Sequence, residues 1–350
     1  MSYEYLNTRV RVMLAKLLKP KEFEALLELR ELDELIDALA DTDYAPELEH
    51  CSVEFSGYEL IEQTILRNGQ RVFTRLMRIA PEDPRQLLEV VLERFEIFNL
   101  KTILRGIHVG ASPQEIARSL YPSLLFSPAF YHELLQRQTL RAVLDYLLSV
   151  GHRYYEPLAR VFPEYERTQK LAVVEHALDS FYFGHVQELF TRRGDTNAQI
   201  VRDALGLEVD LLNIVYARRV VEAGVDSEER YRYILEGGRH ISKEIAVELV
   251  NSAGVSEFWR KFARTPYFRK LGAPREPLSA PRLQERLENL LYAELCRLEL
   301  GRLFDIQLAL SYIWRKSAEM TNLRVIASGL LRHTSRAHIE ENLIPLEVLA

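Results

Sequence analysis

The stretch Arg94-Phe-Glu-Ile-Phe-Asn-Leu-Lys-Thr-Ile-Leu-Arg-Gly-Ile-His-Val-Gly-Ala111 decides the fold because the chain writes it three times. Glu96-x-x-Asn99 returns as Asp210-x-x-Asn213 and as Glu319-x-x-Asn322, at Asn-to-Asn intervals of 114 (213 − 99) and 109 (322 − 213). One, four and eight residues past the asparagine come Leu100, Ile103 and Ile107, then Ile214, Ala217 and Val221, then Leu323, Ile326 and Leu330. That spacing is one face of an α-helix, and the acid three residues before each asparagine lies on the same stripe.

Each copy also carries a stop and a restart. Eleven residues past the asparagine stand Gly110, Gly224 and His333, where a helix would close in a left-handed conformation. Histidine tolerates that conformation better than most side chains. Thirteen past it stand Ser112, Asp226 and Ser335, residue types that cap helix N-termini. Ser112 and Asp226 are followed three residues later by Glu115 and Glu229, as in a capping box. A separate landmark keeps the same period: Tyr44 with Leu48, Tyr154 with Leu158 and Tyr267 with Leu271. The pattern predicts long helices over residues 58–79, 165–190 and 283–303, each leading into a helix with the acid and asparagine. In the third copy no breaker marks the join, so the two helices are read as fused or as joined by a very short turn near Gly301 or Asp305.

No alternating β-branched run with a hairpin turn appears, and no βαβ alternation. The expectation is an all-α chain of three homologous helical units, at 1–111, 112–225 and 226–350. Units of this size suit a closed pseudo-threefold body better than a solenoid, whose repeats run to about 20–50 residues.

Composition narrows the function. The formal net charge is −6 and the pI about 5.9, against a broad basic surface for nucleic acid. Two cysteines, Cys51 and Cys296, give neither a disulfide framework nor a metal spacing, which fits a reducing cytoplasm. The first residues show no signal-peptide pattern, and no apolar run is long enough to span a bilayer. The most apolar stretch, 303–314, is broken by Asp305 and Gln307. Membrane association is therefore expected only through a partner.

The catalytic inventory is thin. Phosphate-loop, dinucleotide and zinc-helix motifs are missing, so no cofactor and no metal is expected. Gly237-Gly238 reads as a turn. His333 and His338 are five apart, off the i,i+4 spacing of helical ligands. Cys51 beside His50 reads as a surface or half-buried thiol, and Phe181-Tyr-Phe183 as core. The basic pairs Arg192-Arg193, Arg218-Arg219 and Arg315-Lys316 read mostly as solvated faces, with contact of one or two to acidic partner loops as the alternative. Two readings of Glu96, Asn99, Asp210, Asn213, Glu319 and Asn322 stay open. They line a socket for another protein, or they form buried polar links that dock helices, each asparagine bonding a neighbouring helix or each acid holding an arginine. A helical-repeat scaffold for a peptide or RNA is an alternative, although the basic residues do not repeat in register. An all-α enzyme would need a carboxylate–histidine set that the sequence lacks.

Three segments together bear a resemblance to one family. Tyr5-Leu-Asn-Thr-Arg-Val-Arg-Val-Met13, Phe98-Asn-Leu-Lys-Thr-Ile-Leu-Arg-Gly106 and Tyr312-Ile-Trp-Arg-Lys-Ser-Ala-Glu-Met-Thr-Asn-Leu-Arg324 resemble the C subunit of the prokaryotic V/A-type rotary ATPases, the counterpart of the eukaryotic d subunit. The resemblance spans the chain. It implies an all-helical funnel with pseudo-threefold symmetry and no catalytic site, acting as a central-stalk rotor component. Its implied partners are the proteolipid subunits of the membrane rotor ring and the D and F subunits of the central stalk. Its implied place is the cytoplasmic face of the membrane, and its implied work is proton- or sodium-linked ATP synthesis or hydrolysis.

Overall fold

The computed structural model describes residues 2–191, 193–298 and 305–348, and among them every regular element is helical. Contacts divide the chain into two bodies. The first takes residues 1–136 and 292–350, the second residues 137–291.

The first body opens with α1 (Ser2–Leu14), α2 (Pro20–Leu26), α3 (Leu32–Ala40) and α4 (Ala45–Cys51). Then come α5 (Gly57–Ile79), α6 (Glu82–Val109), α7 (Pro113–Arg118) and α8 (Pro128–Leu135). The second body holds α9 (Leu140–Ser149), α10 (Tyr155–Thr168), α11 (Leu171–Thr191), α12 (Thr196–Glu222) and α13 (Ser227–Arg230). It continues through α14 (Lys243–Val250), α15 (Val255–Phe262), α16 (Pro266–Lys270) and α17 (Ala280–Cys296), which carries the boundary. The chain then re-enters the first body as α18 (Gln307–Leu331) and α19 (Arg336–Glu341).

The acid and asparagine lie on α6, α12 and α18. α12 and α18 are buried on nearly every side over their central turns. A helix apolar all round sits inside a fold rather than on its surface. α12 is packed by α11, α14 and α15, and α18 by α1, α3, α5 and α19. The core around α18 therefore draws on both ends of the sequence: Phe23, Leu35, Leu39, Ile61 and Ile65 pack with Leu323, Ile326 and Ala327, all fully buried.

All three expected helix stops are left-handed, with φ of 74° at Gly110, 62° at Gly224 and 50° at His333. In each, a reversed pair of hydrogen bonds closes the last turn. Ala111 N–H donates to Gly106 O, Val225 N–H to Val220 O and Thr334 N–H to Gly329 O, all at 2.9–3.1 Å. The restarts differ from expectation. Only Ser112 accepts a capping bond on its side chain, in a reciprocal box with Glu115. Asp226 and Ser335 sit at the right position without one. A further recurrence is steric. A Cβ on Gly106 would fall 2.3 Å from Ile116 Cγ1, and one on Gly329 would fall 2.4 Å from Ile339 Cδ1. Glycine at those two places lets the next short helix lie directly on the long one.

Three expected helices are revised. Residues 165–190 form no single helix, because the chain breaks between α10 and α11. Gln169 closes α10 in the left-handed region (φ 56°), its N–H donating to Tyr165 O at 2.7 Å. The sequence also reads as a helix over residues 3–18, stopped by Pro20, whereas α1 ends at Leu14. The helix expected over 283–303 is α17, which ends at Cys296, and Gly301 lies outside the described residues. Asp305 lies two residues before α18, whose N-cap is Ile306.

Candidate functional site

The three asparagines make one and the same bond pair. Asn99 Nδ2 donates to Tyr121 O at 3.0 Å and its Oδ1 accepts Tyr121 N–H at 2.7 Å. Asn213 does this to Leu235 (2.9 and 2.8 Å), and Asn322 to Ile344 (3.0 and 2.8 Å). The partner lies 22 residues on in every copy. A carboxamide holds one donor and one acceptor side by side, so it can replace a neighbouring strand for a single residue. Each asparagine thus clasps the loop beyond the short helix that follows its own. The expected link to a neighbouring helix is instead a link to loop backbone.

The acids complete the fastener. Glu96 accepts Leu124 N–H (3.0 Å), Leu125 N–H (3.2 Å) and the Ser123 and Tyr131 hydroxyls. Asp210 accepts His240 N–H (2.7 Å), Ile241 N–H (2.9 Å) and the Tyr267 hydroxyl (2.7 Å). Glu319 accepts Leu18 N–H (2.6 Å), the Tyr44 hydroxyl (2.7 Å) and the Lys316 ammonium (2.5 Å). Every acid therefore receives a tyrosine hydroxyl and at least one backbone N–H. Among the described residues no arginine serves any of them. Tyr44 and Tyr267 belong to the tyrosine–leucine landmark, whereas the tyrosine of the first copy is Tyr131. All six acid and asparagine residues are at most 2% exposed.

Burial sets the electrostatics. Desolvation pushes the Glu96 carboxyl upward, against the bonds from Tyr131, the Ser123 hydroxyl and the loop amides, which pull it down. Asp210 is raised for the same reason, opposed by Tyr267, Ile241 and His240. Tyr44 and Tyr131 are driven well above the usual phenol range by burial first and by the adjoining carboxylate second.

Lys316, expected on a solvated face, is buried instead, 2% exposed. It stands three residues before Glu319 on the same helix stripe, so the carboxylate neutralises it. Tyr44 hydroxyl lies 2.9 Å from its ammonium and the Tyr44 ring 4.2 Å below it. Arg218 is buried too, reaching Glu222 at 2.9 Å. Arg192 lies outside the described residues, while Arg193 pairs with Asp195 and Arg219 with Gln284. Cys51 and Cys296 are buried free thiols. Tyr182 and Phe183 are core.

Gly237-Gly238 is the turn that delivers the loop amides to Asp210. Gly237 has φ 97°, and a Cβ on Gly238 would fall 2.3 Å from Asp210 Oδ1 and 2.4 Å from Ile241 O. Gly238→Ala is expected to lower stability by about 1–3 kcal/mol through this overlap. Urea unfolding followed at Trp259, in the same body, measures it; an unchanged midpoint would contradict the close approach.

These fasteners hold loops onto helices. None of the six side chains is open to a substrate or a partner while the fold stays closed. Sequence reasoning missed the loop partners, Tyr131 and Lys316. Backbone acceptors leave no side-chain signature, and the counterparts of Lys316 in the other copies are Glu93 and Leu207. The recurrence of Tyr44 and Tyr267 could have been joined to the acids, since Tyr267 follows Asp210 by 57 residues.

Residues 6–342 match the family described as ATP synthase (C/AC39) subunit. Among similar proteins, the C subunit of the A-type ATP synthase of Methanosarcina mazei is 28% identical over 346 residues, covering 98% of this chain and 93% of its own. Its counterpart from Haloferax volcanii is 28% identical over 331 residues, covering 93% and 92%. The C subunit of the V-type ATP synthase of Deinococcus radiodurans is 30% identical over 220 residues, covering 62% and 60%.

Proposed function

This chain belongs to the ATP synthase (C/AC39) subunit family of the V/A-type ATPases, and from that premise we propose that it works as a stiff adaptor in the central stalk. It is an accessory, non-catalytic part of the rotary complex. In this reading it is a socket, receiving the shaft formed by the D and F subunits and passing torque to the proteolipid ring. It sits at the cytoplasmic face of the membrane, held there by the complex. Among the described residues no helix is long and apolar enough to cross a bilayer.

The observation that carries the reading is the internal use of the repeated polar residues. Torque transmission needs a body that does not yield, and close-packed interiors transmit strain. A loop fastened at both an amide and a carboxylate cannot slide along its helix without leaving buried polar groups unpaired. The three-unit division at 1–111, 112–225 and 226–350, and a pseudo-threefold funnel, are part of the proposal, supported by the same clasp at the same spacing in each copy. Glu96, Asn99, Asp210, Asn213, Glu319 and Asn322 then serve helix and loop docking rather than direct partner contact.

Co-expression with D, F and the ring proteolipids tests the role. The chain is expected to co-purify with both the shaft pair and the ring, and to bridge them when all are present. A folded, monodisperse chain that joins neither, while the remaining components assemble, would overturn it.

A further inference from the structure

The exposed side of α5 carries a ladder of arginines. Arg67, Arg71, Arg75 and Arg78 follow one another at helical spacing, and Arg9 of α1 faces them across a trough of about 570 Å³. The ladder runs about 16 Å along the helix axis. Arg71 is engaged, its Nε 2.5 Å from Glu47 and its Nη2 3.0 Å from Asp43, and Arg67 reaches Glu54 at 3.6 Å. Among the described residues no carboxylate pairs with Arg9, Arg75 or Arg78. On α1, Tyr5 and Val12 flank Arg9 at one helical turn on either side and are 53% and 54% exposed. On the far side of Gln70, Thr74 and Arg78 a second groove of about 450 Å³ continues past Met77 to Leu125, which is 41% exposed.

Like charges at i,i+4 destabilise a helix on its own; Glu54, Asp43 and Glu47 offset Arg67 and Arg71, while Arg75 has no carboxylate partner among the described residues. In a chain of net charge −6, this row is a local reversal of sign. We propose that the α1–α5 trough is a docking surface for an acidic amphipathic helix of a partner protein. The guanidinium groups lie in a line, at the repeat at which a neighbouring helix presents carboxylates, and do not converge as they would around a single phosphate. Tyr5, Val12 and Ile79 offer apolar contact beside the charges, which a helix with one acidic and one apolar stripe fills. The arginines would also steer an acidic partner to the site.

The proposal deepens the adaptor reading by naming one contact surface and its chemistry. A labelled peptide of about 20 residues is the probe, with glutamates at i, i+4, i+8 and i+11 and leucines on the adjacent stripe. Its control has the same composition in scrambled order. Fluorescence anisotropy on the full chain is expected to show saturable binding of the patterned peptide, at least about tenfold tighter than the scrambled one. Affinity should fall as salt rises from about 50 to about 300 mM. The double variant Arg75→Glu/Arg78→Glu should weaken binding about tenfold or more, and Arg9→Glu, on the other helix, should weaken it as well. Arg9 and Arg78 are exposed and Arg75 is half-buried, and an unchanged melting curve certifies the fold. Equal binding of both peptides, no saturable binding, or indifference to the charge reversals would each overturn the proposal. So would arginine-dependent binding to phosphatidylglycerol vesicles without peptide binding. A failure to co-purify with the ring and the shaft would sink the adaptor role while leaving peptide affinity intact, so the two failures are distinguishable.

Discussion

Glu319→Ala is expected to lower the unfolding free energy of the first body by about 3–5 kcal/mol. The carboxylate is 1% exposed and accepts from Lys316, Tyr44 and Leu18. Its removal leaves an ammonium group buried without its counter-charge, and leaves a hydroxyl and an amide short of an acceptor. Breaking such a pair from one side costs far more than deleting both members. Lys316→Met combined with Glu319→Leu should therefore recover much of the loss. The chain has two tryptophans, Trp259 in the second body and Trp314 in the first, so a Trp259→Phe background makes fluorescence report on the affected body alone. A loss under about 1 kcal/mol, or a double variant worse than the single one, would contradict the buried-pair account.

Asn213→Ala should cost about 2–4 kcal/mol in the second body. Leu235 is 3% exposed, and its N–H and C=O would both lose the carboxamide of Asn213 that now pairs with them. Asn213→Asp is informative beside it. It keeps an acceptor for the Leu235 N–H but sets a carboxylate oxygen against the Leu235 carbonyl, so the aspartate is expected to rescue poorly at neutral pH. A Trp314→Phe background followed at Trp259, together with hydrogen exchange of the Leu235 amide, reads both effects. Unchanged stability with weakened assembly into the complex would shift Asn213 from fastening to partner contact.

What can be read from the sequence has a side-chain cause. The apolar stripe after each asparagine repeats because the same helix face meets a core in each copy. Gly110, Gly224 and His333 point to left-handed closures because few residue types tolerate that conformation. What stays hidden works through the backbone or through a single copy. Tyr121, Leu235 and Ile344 share no residue type because only their peptide groups are clasped. Gln169 ends α10 in a left-handed turn without a glycine to mark it, supported by its own side chain, which donates to Glu166 O at 3.0 Å. Lys316 reads as a surface cation because the Tyr44 hydroxyl and ring that cover it come from 272 residues away, although its counter-charge, Glu319, is only three residues on. The pairing of α18 with the opening helices is a long-range event that no local pattern encodes.

That pairing has a consequence for how the protein comes into being. The second body is one continuous run, residues 137–291, and all its internal partners are present once that run has left the ribosome. The first body is split. Leu18 and Tyr44 are made early, yet Glu319 arrives about 275 residues after Tyr44. Closing a loop of that length is slow, and the faces of α1, α3 and α5 that pack on α18 stay uncovered until it emerges. The middle of the chain is thus the part that can mature during translation, and the first-made segment finishes last.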